Sequence, residues 1–294
     1  MYRFFGLTVS YTLQRRFFMD FTLKSRYDMN DLLDIMRILR SENGCPWDKE
    51  QTHKSIRKDF IEEVYEAIEA IDTEDSELLR EELGDVLLQV VFHCRIEEEQ
   101  ERFCFGDVVN EVCQKLVTRH PHVFGDVTAE TSEEVLKNWN DIKQKTKGQE
   151  TYTETLESVS SALPALMRAQ KVGQRAKRAG MDFRDAISAM DSMEKEIAEL
   201  KAALATAALK GMNGKGKEID VSAAVQDELG DVLFSCVNLS RHLGFDAEEA
   251  LTASTEKFID RFRKTEDLLR CEGIDMKSLN IDELDVWWRK AKSQ

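Results

Sequence analysis

The chain has 294 residues, enough for two ordinary domains, and 42% of them are hydrophobic, which allows a sizeable core. Three prolines and few aromatic residues, against many helix-forming residues, favour an almost entirely α-helical protein. The formal net charge of −15 argues against a nucleic-acid polymer as a partner, because proteins that bind one usually present a basic face to its phosphates.

The first 28 residues differ from the rest. Residues 1–19 carry three arginines and several phenylalanines but no acidic residue, which would suit a targeting or membrane-surface segment. They hold no apolar run of about 18 residues, so we expect no membrane-spanning helix and no membrane partner. The favoured interpretation of residues 1–28 is a disordered extension, or sequence upstream of a natural start near Met29.

Helical periodicity becomes clear near Met29. The stretch at residues 44–48 contains Pro46 and is predicted to be a loop. A long amphipathic helix should follow over residues 55–71, and its core face is expected to hold Ile56, Phe60, Val64, Ile68 and Ile71. A turn at residues 72–76 then leads into another helix, which should pack antiparallel on the first.

One six-residue sequence occurs twice. Glu-Leu-Gly-Asp-Val-Leu occupies residues 82–87 and recurs at residues 228–233. Because so long an identical sequence seldom recurs by chance, it indicates an internal duplication. We therefore predict two tandem helical domains, at residues 29–150 and 181–294, joined by a helical linker at residues 151–180.

Each copy of the hexamer follows a second pair of acidic residues with the same spacing. Residues three apart lie on one face of a helix, so each half should bring four carboxylates together. These are Glu63, Glu66, Glu82 and Asp85 in the first half, and Glu196, Glu199, Glu228 and Asp231 in the second. Acidic helix faces are usually only solvated, but recurrence in both halves favours a site.

Clustered carboxylates repel one another unless a cation binds among them or some are protonated. Ligand sets made only of oxygen select Mg2+ or Mn2+ over zinc, and a di-iron bundle would place a His three residues after a Glu. We predict Mg2+, with Mn2+ as the alternative. The glycine inside each hexamer, Gly84 or Gly230, is expected to let another helix or a ligand approach closely.

A Lys/Arg pair and a Trp/Lys pair follow the acids in each half, and both pairs have the four-residue spacing of a shared helix face. They are Lys115/Arg119 and Trp139/Lys143 in the first half, and Lys257/Arg261 and Trp288/Lys292 in the second. Singly, each is ordinary surface charge or packing. Together with the acids, they predict a polyphosphate site whose indole offers a flat surface to a base.

These residues resemble the signature of the MazG nucleoside triphosphate pyrophosphohydrolases. The resemblance covers nearly all of the chain after Met29. It rests on the tandem arrangement and on Glu62-Glu63-x-x-Glu66 with Glu82-x-x-Asp85, Gly44-Cys-Pro-Trp-Asp-Lys-Glu-Gln-Thr52, Arg119-His-Pro-His-Val-Phe124 and Lys257-Phe-x-x-Arg-Phe262.

The resemblance implies an all-α fold, a homodimer in which helices of two chains complete each bundle, and Mg2+-dependent cleavage of NTPs and dNTPs to the monophosphate and pyrophosphate. It also implies that the C-terminal domain carries the hydrolysis. Carried over, the metal ligands and catalytic residues are Glu196, Glu199, Glu228 and Asp231, and the nucleotide contacts are Lys257, Arg261, Trp288 and Lys292. A second site in the first half would use Glu62, Lys115, Arg119, Trp139 and Lys143 beside its acids.

The sequence departs from the family pattern at Lys195, where the family has the first Glu of Glu-Glu-x-x-Glu. If that Glu orients the attacking water, the second half is impaired and the first half is favoured, with Glu62 as its candidate base. If it lies outside the inner set, nothing essential is lost.

Two other interpretations stay open. One is a helical dimer without catalysis that senses a nucleotide or binds a partner protein, and the other is a narrower dNTP or alarmone pyrophosphatase. The six cysteines form no CxxC pair, so we expect reduced, mostly buried thiols in a cytosolic protein.

Overall fold

The computed structural model describes residues 21–146, 148–213 and 223–292. These residues form helices and contain no β-strand, which confirms the all-α prediction. In chain order the α-helices are α1 (Met29–Leu39), α2 (Pro46–Glu50), α3 (Arg57–Asp72), α4 (Ser76–Glu98), α5 (Phe105–Arg119), α6 (Pro121–Phe124), α7 (Ser132–Thr146), α8 (Tyr152–Glu157), α9 (Ala165–Arg178), α10 (Ala186–Asn213), α11 (Ala223–Leu243), α12 (Ala247–Cys271) and α13 (Ile281–Lys292).

The chain divides into two compact units, with the boundary between Trp139 and Asn140. The repeated hexamer lies on α4 in the first unit and on α11 in the second. In each unit this helix packs on the long helix before it, α3 or α10. The duplicated sequence therefore lies on the second helix of a packed helix pair in both units. The domain limits drawn from the sequence stay predictions; within the predicted linker, α9 packs on α11 and α12.

The start of the chain can be described only in part. The expectation for residues 1–28 falls mainly on residues 1–20, which lie outside the described residues. Helix α1 begins at Met29, as the periodicity predicts. The side chain of Asp28 caps it by accepting hydrogen bonds from the backbone N–H groups of Asn30 and Asp31.

The connection between α3 and α4 is a short reversal, as predicted. Helix α3 ends at Asp72, and Glu74 takes a left-handed conformation with φ of 56°. The Asp75 carboxylate then accepts hydrogen bonds of 3.0 Å from the backbone N–H groups of Glu77 and Leu78 and so begins α4. This tight connection fixes which turns of the two helices lie side by side.

The predicted loop at residues 44–48 is wrong in its second part. Pro46 is the first residue of α2, a position where a helix needs no N–H group. Gly44 precedes it where the chain folds back over the end of α1. A Cβ at this position would lie 2.2 Å from the carbonyl oxygen of Leu39 and 2.3 Å from that of Ile38, so the turn requires glycine.

The core of the first unit is formed by α1, the residue before α3, and α4. Its buried residues are Met36, Ile56, Val91, Phe92 and Ile96. The predicted core face of α3 is only partly correct: Ile56 is buried and Phe60 half-buried, whereas Val64, Ile68 and Ile71 are exposed. The buried residues of α3 itself are Ala67 and Ala70. Because α3 packs mainly on α4, Val64, Ile68 and Ile71 stay exposed among the described residues of the unit.

The cysteine prediction also needs correction. All six cysteines are free, but only Cys94 is buried, while Cys113, Cys236 and Cys271 are exposed. The prediction failed because the number and spacing of cysteines indicate whether they form disulfides, but not whether each one is buried. Separately, within the described ranges we find no helix with the length and hydropathy that a bilayer crossing requires.

Candidate metal and nucleotide site

Three carboxylates meet where α10 packs on α11 in the second unit. Glu196 extends from α10, and Glu228 and Asp231 extend from α11. One oxygen of each lies within 4.8 Å of one oxygen of the others. Oxygens at this spacing can bind one divalent cation after a small adjustment. Glu199, the fourth predicted ligand, is exposed and lies outside this group of three.

The electrostatics of this cluster favour a cation. Burial, followed by the negative charges of Glu199, Asp231 and Glu196, raises the pKa of Glu228. The Oε2 atom of Glu228 is buried and has no hydrogen-bond partner among the described residues. A buried carboxylate oxygen without a donor is unfavourable, and so is the repulsion between its neighbours. A hard divalent cation would relieve both, so the residues present fit one.

The first unit holds another group of three carboxylates, between α3 and α4, with two members on α3 and one on α4. Oxygens of Glu63, Glu66 and Glu82 lie within 4.8 Å of one another, and Asp85 is outside the group. Burial and then the charges of Asp85, Glu66 and Glu82 raise the pKa of Glu63. Burial and the charges of Glu66 and Asp85 likewise raise the pKa of Glu82. Glu62 is exposed and does not belong to the cluster.

The predicted nucleotide contacts of the second unit lie on α12 and α13, which pack together. Lys257 and Arg261 are one turn apart on α12, and in the described chain neither forms an ion pair. The Trp288 ring lies 5.0 Å from the Phe258 ring, measured between centroids. Lys292 is the last residue of α13. These basic and aromatic residues lie on different helices from the clustered carboxylates, although α11, which carries Glu228 and Asp231, also packs on α12.

The corresponding residues of the first half are engaged differently. The guanidinium of Arg119 lies 5.4 Å from the centroid of the Trp139 ring, and the His120 ring meets this indole edge-on at 4.9 Å. Lys115 pairs with Glu111 at 3.3 Å. Lys143 shares α7 with Trp139, as its spacing predicts. In the first unit, therefore, the Trp139 ring and the Arg119 guanidinium contact each other.

Sequence reasoning missed an ion-pair cluster that lies near the acids of the second unit. Asp182, in the segment before α10, accepts hydrogen bonds from Arg241, and its Oδ1 lies 3.0 Å from His242 Nε2. The hydrogen bonds from Arg241 hold the pKa of Asp182 well below its usual range. Residues so far apart in sequence leave no spacing pattern, although Arg241 lies on the same helix as Asp231.

Asp182 and Arg241 also line a cavity of about 480 Å³. The wall of this cavity includes Glu196, so the cavity adjoins the carboxylate cluster. Its other sides are formed by α9, α11 and the segment before α10. The second unit thus combines an acidic cluster with a space of small-molecule size.

Comparison with known proteins assigns the chain to a family. The profile of the MazG nucleotide pyrophosphohydrolase domain matches residues 51–124 and 184–265, one segment in each unit. The Thermotoga maritima protein named "Nucleoside triphosphate pyrophosphohydrolase/pyrophosphatase MazG" is 41% identical over 262 residues, which cover 89% of this chain and 94% of that protein. The Escherichia coli K12 protein named "Nucleoside triphosphate pyrophosphohydrolase" is 41% identical over 264 residues, 90% of this chain and 96% of that protein. The chain belongs to the MazG nucleotide pyrophosphohydrolase family.

Proposed function

We propose that this protein hydrolyses nucleoside and deoxynucleoside triphosphates to the monophosphate and pyrophosphate, with Mg2+ held in the second unit. The observation that carries the proposal is the group formed by Glu196, Glu228 and Asp231, whose oxygens lie within 4.8 Å of one another. The names of the two relatives, both of which describe pyrophosphohydrolases, support the same reaction.

The chemistry divides among residues of the second unit. Glu196, Glu228 and Asp231 would hold Mg2+, and Glu199 adds negative charge beside them. When bound, Mg2+ neutralises phosphate charge and polarises the phosphoryl group. A water oxygen forms a new bond to the α-phosphorus as the bond from the α-phosphorus to the oxygen that bridges it to the β-phosphorus breaks. The proton of the water passes to a carboxylate of this set, and pyrophosphate leaves.

The basic and aromatic residues would bind the substrate. Lys257 and Arg261 provide positive charge on one face of α12, suited to the phosphate oxygens. Trp288 is half-buried against Phe258 and offers its remaining surface to the nucleotide. Lys292, one turn beyond Trp288 on α13, adds a further positive charge near it.

We also propose that two copies of the chain form a dimer. Exposed large apolar side chains on α3, α11 and α12 support this, among them Ile68, Ile71, Leu233, Phe258 and Phe262. Apart from the helix itself, no atom of the described residues lies within 4 Å of a Cβ placed at Gly84 or Gly230, so the described chain does not make the close approach expected at the hexamer glycines. A second chain would cover these faces. The free thiols are in keeping with a cytosolic location.

The test uses two variants at the same hexamer position, Glu228→Gln and its matched control Glu82→Gln. Pyrophosphate release is measured for the four NTPs and four dNTPs with Mg2+, with Mn2+ and with EDTA. We expect Glu228→Gln to lower kcat/KM at least about a hundredfold, or about 2.7 kcal/mol. Glu82→Gln should stay within about threefold of the wild type, and EDTA should abolish activity.

Each of the other possible results would support a different interpretation of the function. Loss of activity in Glu82→Gln with full activity in Glu228→Gln would move the chemistry to the first unit. Release from a single nucleotide would identify a narrow specialist. No release from any nucleotide at micromolar enzyme would overturn catalysis and leave a nucleotide-sensing dimer.

A further inference from the structure

Two histidines of the first unit meet head to head, and neither belongs to the carboxylate clusters. His53 lies in the segment before α3, and His93 lies on α4. Their Nδ1 atoms are 2.7 Å apart, the ring planes differ by 13°, and the ring centroids are 5.0 Å apart. Parallel rings cannot stack face to face with two atoms so close. The rings therefore meet edge to edge, with Nδ1 facing Nδ1.

This contact requires one shared proton. At 2.7 Å two nitrogen lone pairs would repel each other, and two N–H groups would clash. One Nδ1 must therefore carry a hydrogen and donate it to the other, which must be unprotonated. The contact between the two imidazoles, which we call the His53–His93 pair, thus depends on how many protons the two rings hold.

Glu97 of α4 determines which nitrogen donates. Its Oε1 lies 2.5 Å from His53 Nε2, and the same carboxylate pairs with Arg102. The hydrogen bonds from Arg102 lower the pKa of Glu97 to about 2, so at neutral pH this carboxylate can only accept. His53 therefore carries its hydrogen on Nε2 when it is neutral, and His93 donates from Nδ1.

The surroundings of the pair favour an uncharged His93. Burial, followed by the positive charge of a protonated His53, lowers the pKa of His93, and the negative charge of Glu97 opposes this shift. From α3 the neutral ring of Phe60 contacts His93, with centroids 5.6 Å apart. The charges that face the pair are those of Glu97 on α4 and, through it, Arg102 in the α4–α5 connection. The His53 side chain is 38% exposed, so protons can enter from solvent.

A first added proton leaves the contact intact. It binds Nε2 of His93 while the shared proton moves to Nδ1 of His53. The resulting imidazolium donates to the Glu97 carboxylate and to the Nδ1 lone pair of His93. A second added proton places hydrogens on both Nδ1 atoms and positive charge on both rings. The contact then breaks, because two donors and two like charges face each other.

The His53–His93 pair attaches the beginning of α3 to α4. His53 is three residues before Ile56, a buried core residue that immediately precedes α3. Arg40 of α1 holds the same segment by donating hydrogen bonds to the carbonyl oxygens of Asp48 and Gln51. An arginine stays charged throughout the range in which histidine titrates. Of these two attachments, the one to α4 is therefore the one sensitive to mild acid.

Comparison of the two units shows that the helix packing does not require this pair. By the register of the repeated hexamer, Leu239 and Leu243 on α11 take the positions of His93 and Glu97 on α4. Helix α11 packs on α10 with leucines at these positions, as α4 packs on α3 with titratable groups. A titratable pair that the packing does not need points to a role for its titration.

We infer that the His53–His93 pair is a pH-sensitive contact, which keeps residues 51–56 attached to α4 with no or one added proton and releases them when both imidazoles are protonated. Because the pKa of His93 is lowered in the folded protein, the stability contributed by its neutral form is present above its ordinary value of 6.5 and is lost as the pH falls. Glu97 stays ionised in this range and adds no pH dependence there. The inference is independent of the proposed hydrolysis, since no nucleotide takes part.

The first experiment detects the shared proton by NMR on the full wild-type chain labelled with 15N-histidine, which has five histidines. At about pH 8 we expect a scalar coupling across a hydrogen bond between two Nδ1 nuclei, only one of which is protonated. The pair should titrate in two steps at least about one pH unit apart. His242, which faces Asp182, is the internal control and should titrate in one step. Absence of the coupling, or two independent and equal steps for the pair, would overturn the inference.

The second experiment measures release of the segment. Trypsin cleavage after Lys54 reports the opening of residues 51–56, and cleavage after the exposed Lys277 of the second unit, in the same sample, corrects for the pH dependence of trypsin. Between about pH 7.5 and pH 5.5, the ratio of the two rates should rise at least about threefold in the wild type, because opening takes up a proton.

Two variants complete the second experiment. In His93→Gln the amide can donate to His53 or accept from it without titrating, so the ratio of cleavage rates should no longer change with pH. The matched control His242→Gln should behave as the wild type does. A rise that persists in His93→Gln would overturn the inference. Should this variant fail to fold, the NMR experiment decides on the wild type alone.

Discussion

Arg241 and Asp182 form a two-pronged ion pair in the second unit: Arg241 Nη1 donates to Asp182 Oδ2 at 3.1 Å, and Nη2 donates to Oδ1. The two side chains are only 9% and 15% exposed. The pair ties the segment before α10 to the last turns of α11. It therefore fixes one wall of the cavity beside the carboxylate cluster.

Asp182→Asn should destabilise the second unit by about 3 kcal/mol at pH 7, because Arg241 would stay buried without a charged partner. The pKa of Asp182 is lowered in the folded protein from its ordinary value of 3.8. Its contribution is therefore complete above about pH 4 and is lost as the pH falls further. Urea unfolding at several pH values should show the difference between variant and wild type shrinking below pH 4. A difference independent of pH would contradict this account.

Lys195→Glu restores the residue type of the family pattern. Lys195 is exposed on α10 and is not among the carboxylates of the cluster. We therefore expect kcat for pyrophosphate release to change by less than about threefold, as for an exposed charge outside the inner set. A tenfold gain in the rate would show instead that a carboxylate here orients the attacking water.

Lys257→Ala and Arg261→Ala should each raise KM for nucleoside triphosphates by roughly ten- to a hundredfold, because each loses a charge-assisted contact to phosphate worth about 1.5–3 kcal/mol. The matched control is Lys115→Ala, at the corresponding position of the first unit, where the side chain pairs with Glu111. Steady-state kinetics at two salt concentrations measure KM for each variant. An equal effect of Lys115→Ala would place substrate in the first unit too.

Glu228→Gln should raise the melting temperature of the metal-free protein, although it removes activity. Burial and four neighbouring carboxylates make the ionised Glu228 unfavourable, as its raised pKa indicates. Mg2+ should raise the melting temperature of the wild type and have much less effect on the variant. Differential scanning fluorimetry with and without Mg2+ measures both shifts. A lower melting temperature in metal-free Glu228→Gln would show that the cluster is not strained by repulsion.

The acids could be placed from the sequence because two simple rules govern them. Residues three apart share a helix face, and a short turn sets α3 beside α4. Together these rules bring Glu63 and Glu66 to Glu82. They do not set side-chain direction, so they could not tell that Asp85 and Glu199 stay outside the groups of three.

Two features were beyond such rules. The periodicity of α3 identifies an apolar face but not what covers it, and Ile68 and Ile71 prove to be exposed. The cavity depends on Gly173 of α9 lying over Asn238 and Arg241 of α11. This contact is set by tertiary packing between distant parts of the chain, for which spacing along the sequence gives no signal.

Phe92 on α4 and Asn238 on α11 occupy the same position relative to the repeated hexamer, and their difference has a consequence for local opening. In the first unit, Phe92 and the other core side chains of α1 and α4 are buried, so the amide hydrogens of these helices should exchange only when the core opens. In the second unit, α9 and α11 both border an open volume of about 480 Å³. Their amides should exchange sooner, and a molecule that fills the volume should slow them selectively. Deuterium uptake along α11 would then report occupancy directly, residue by residue.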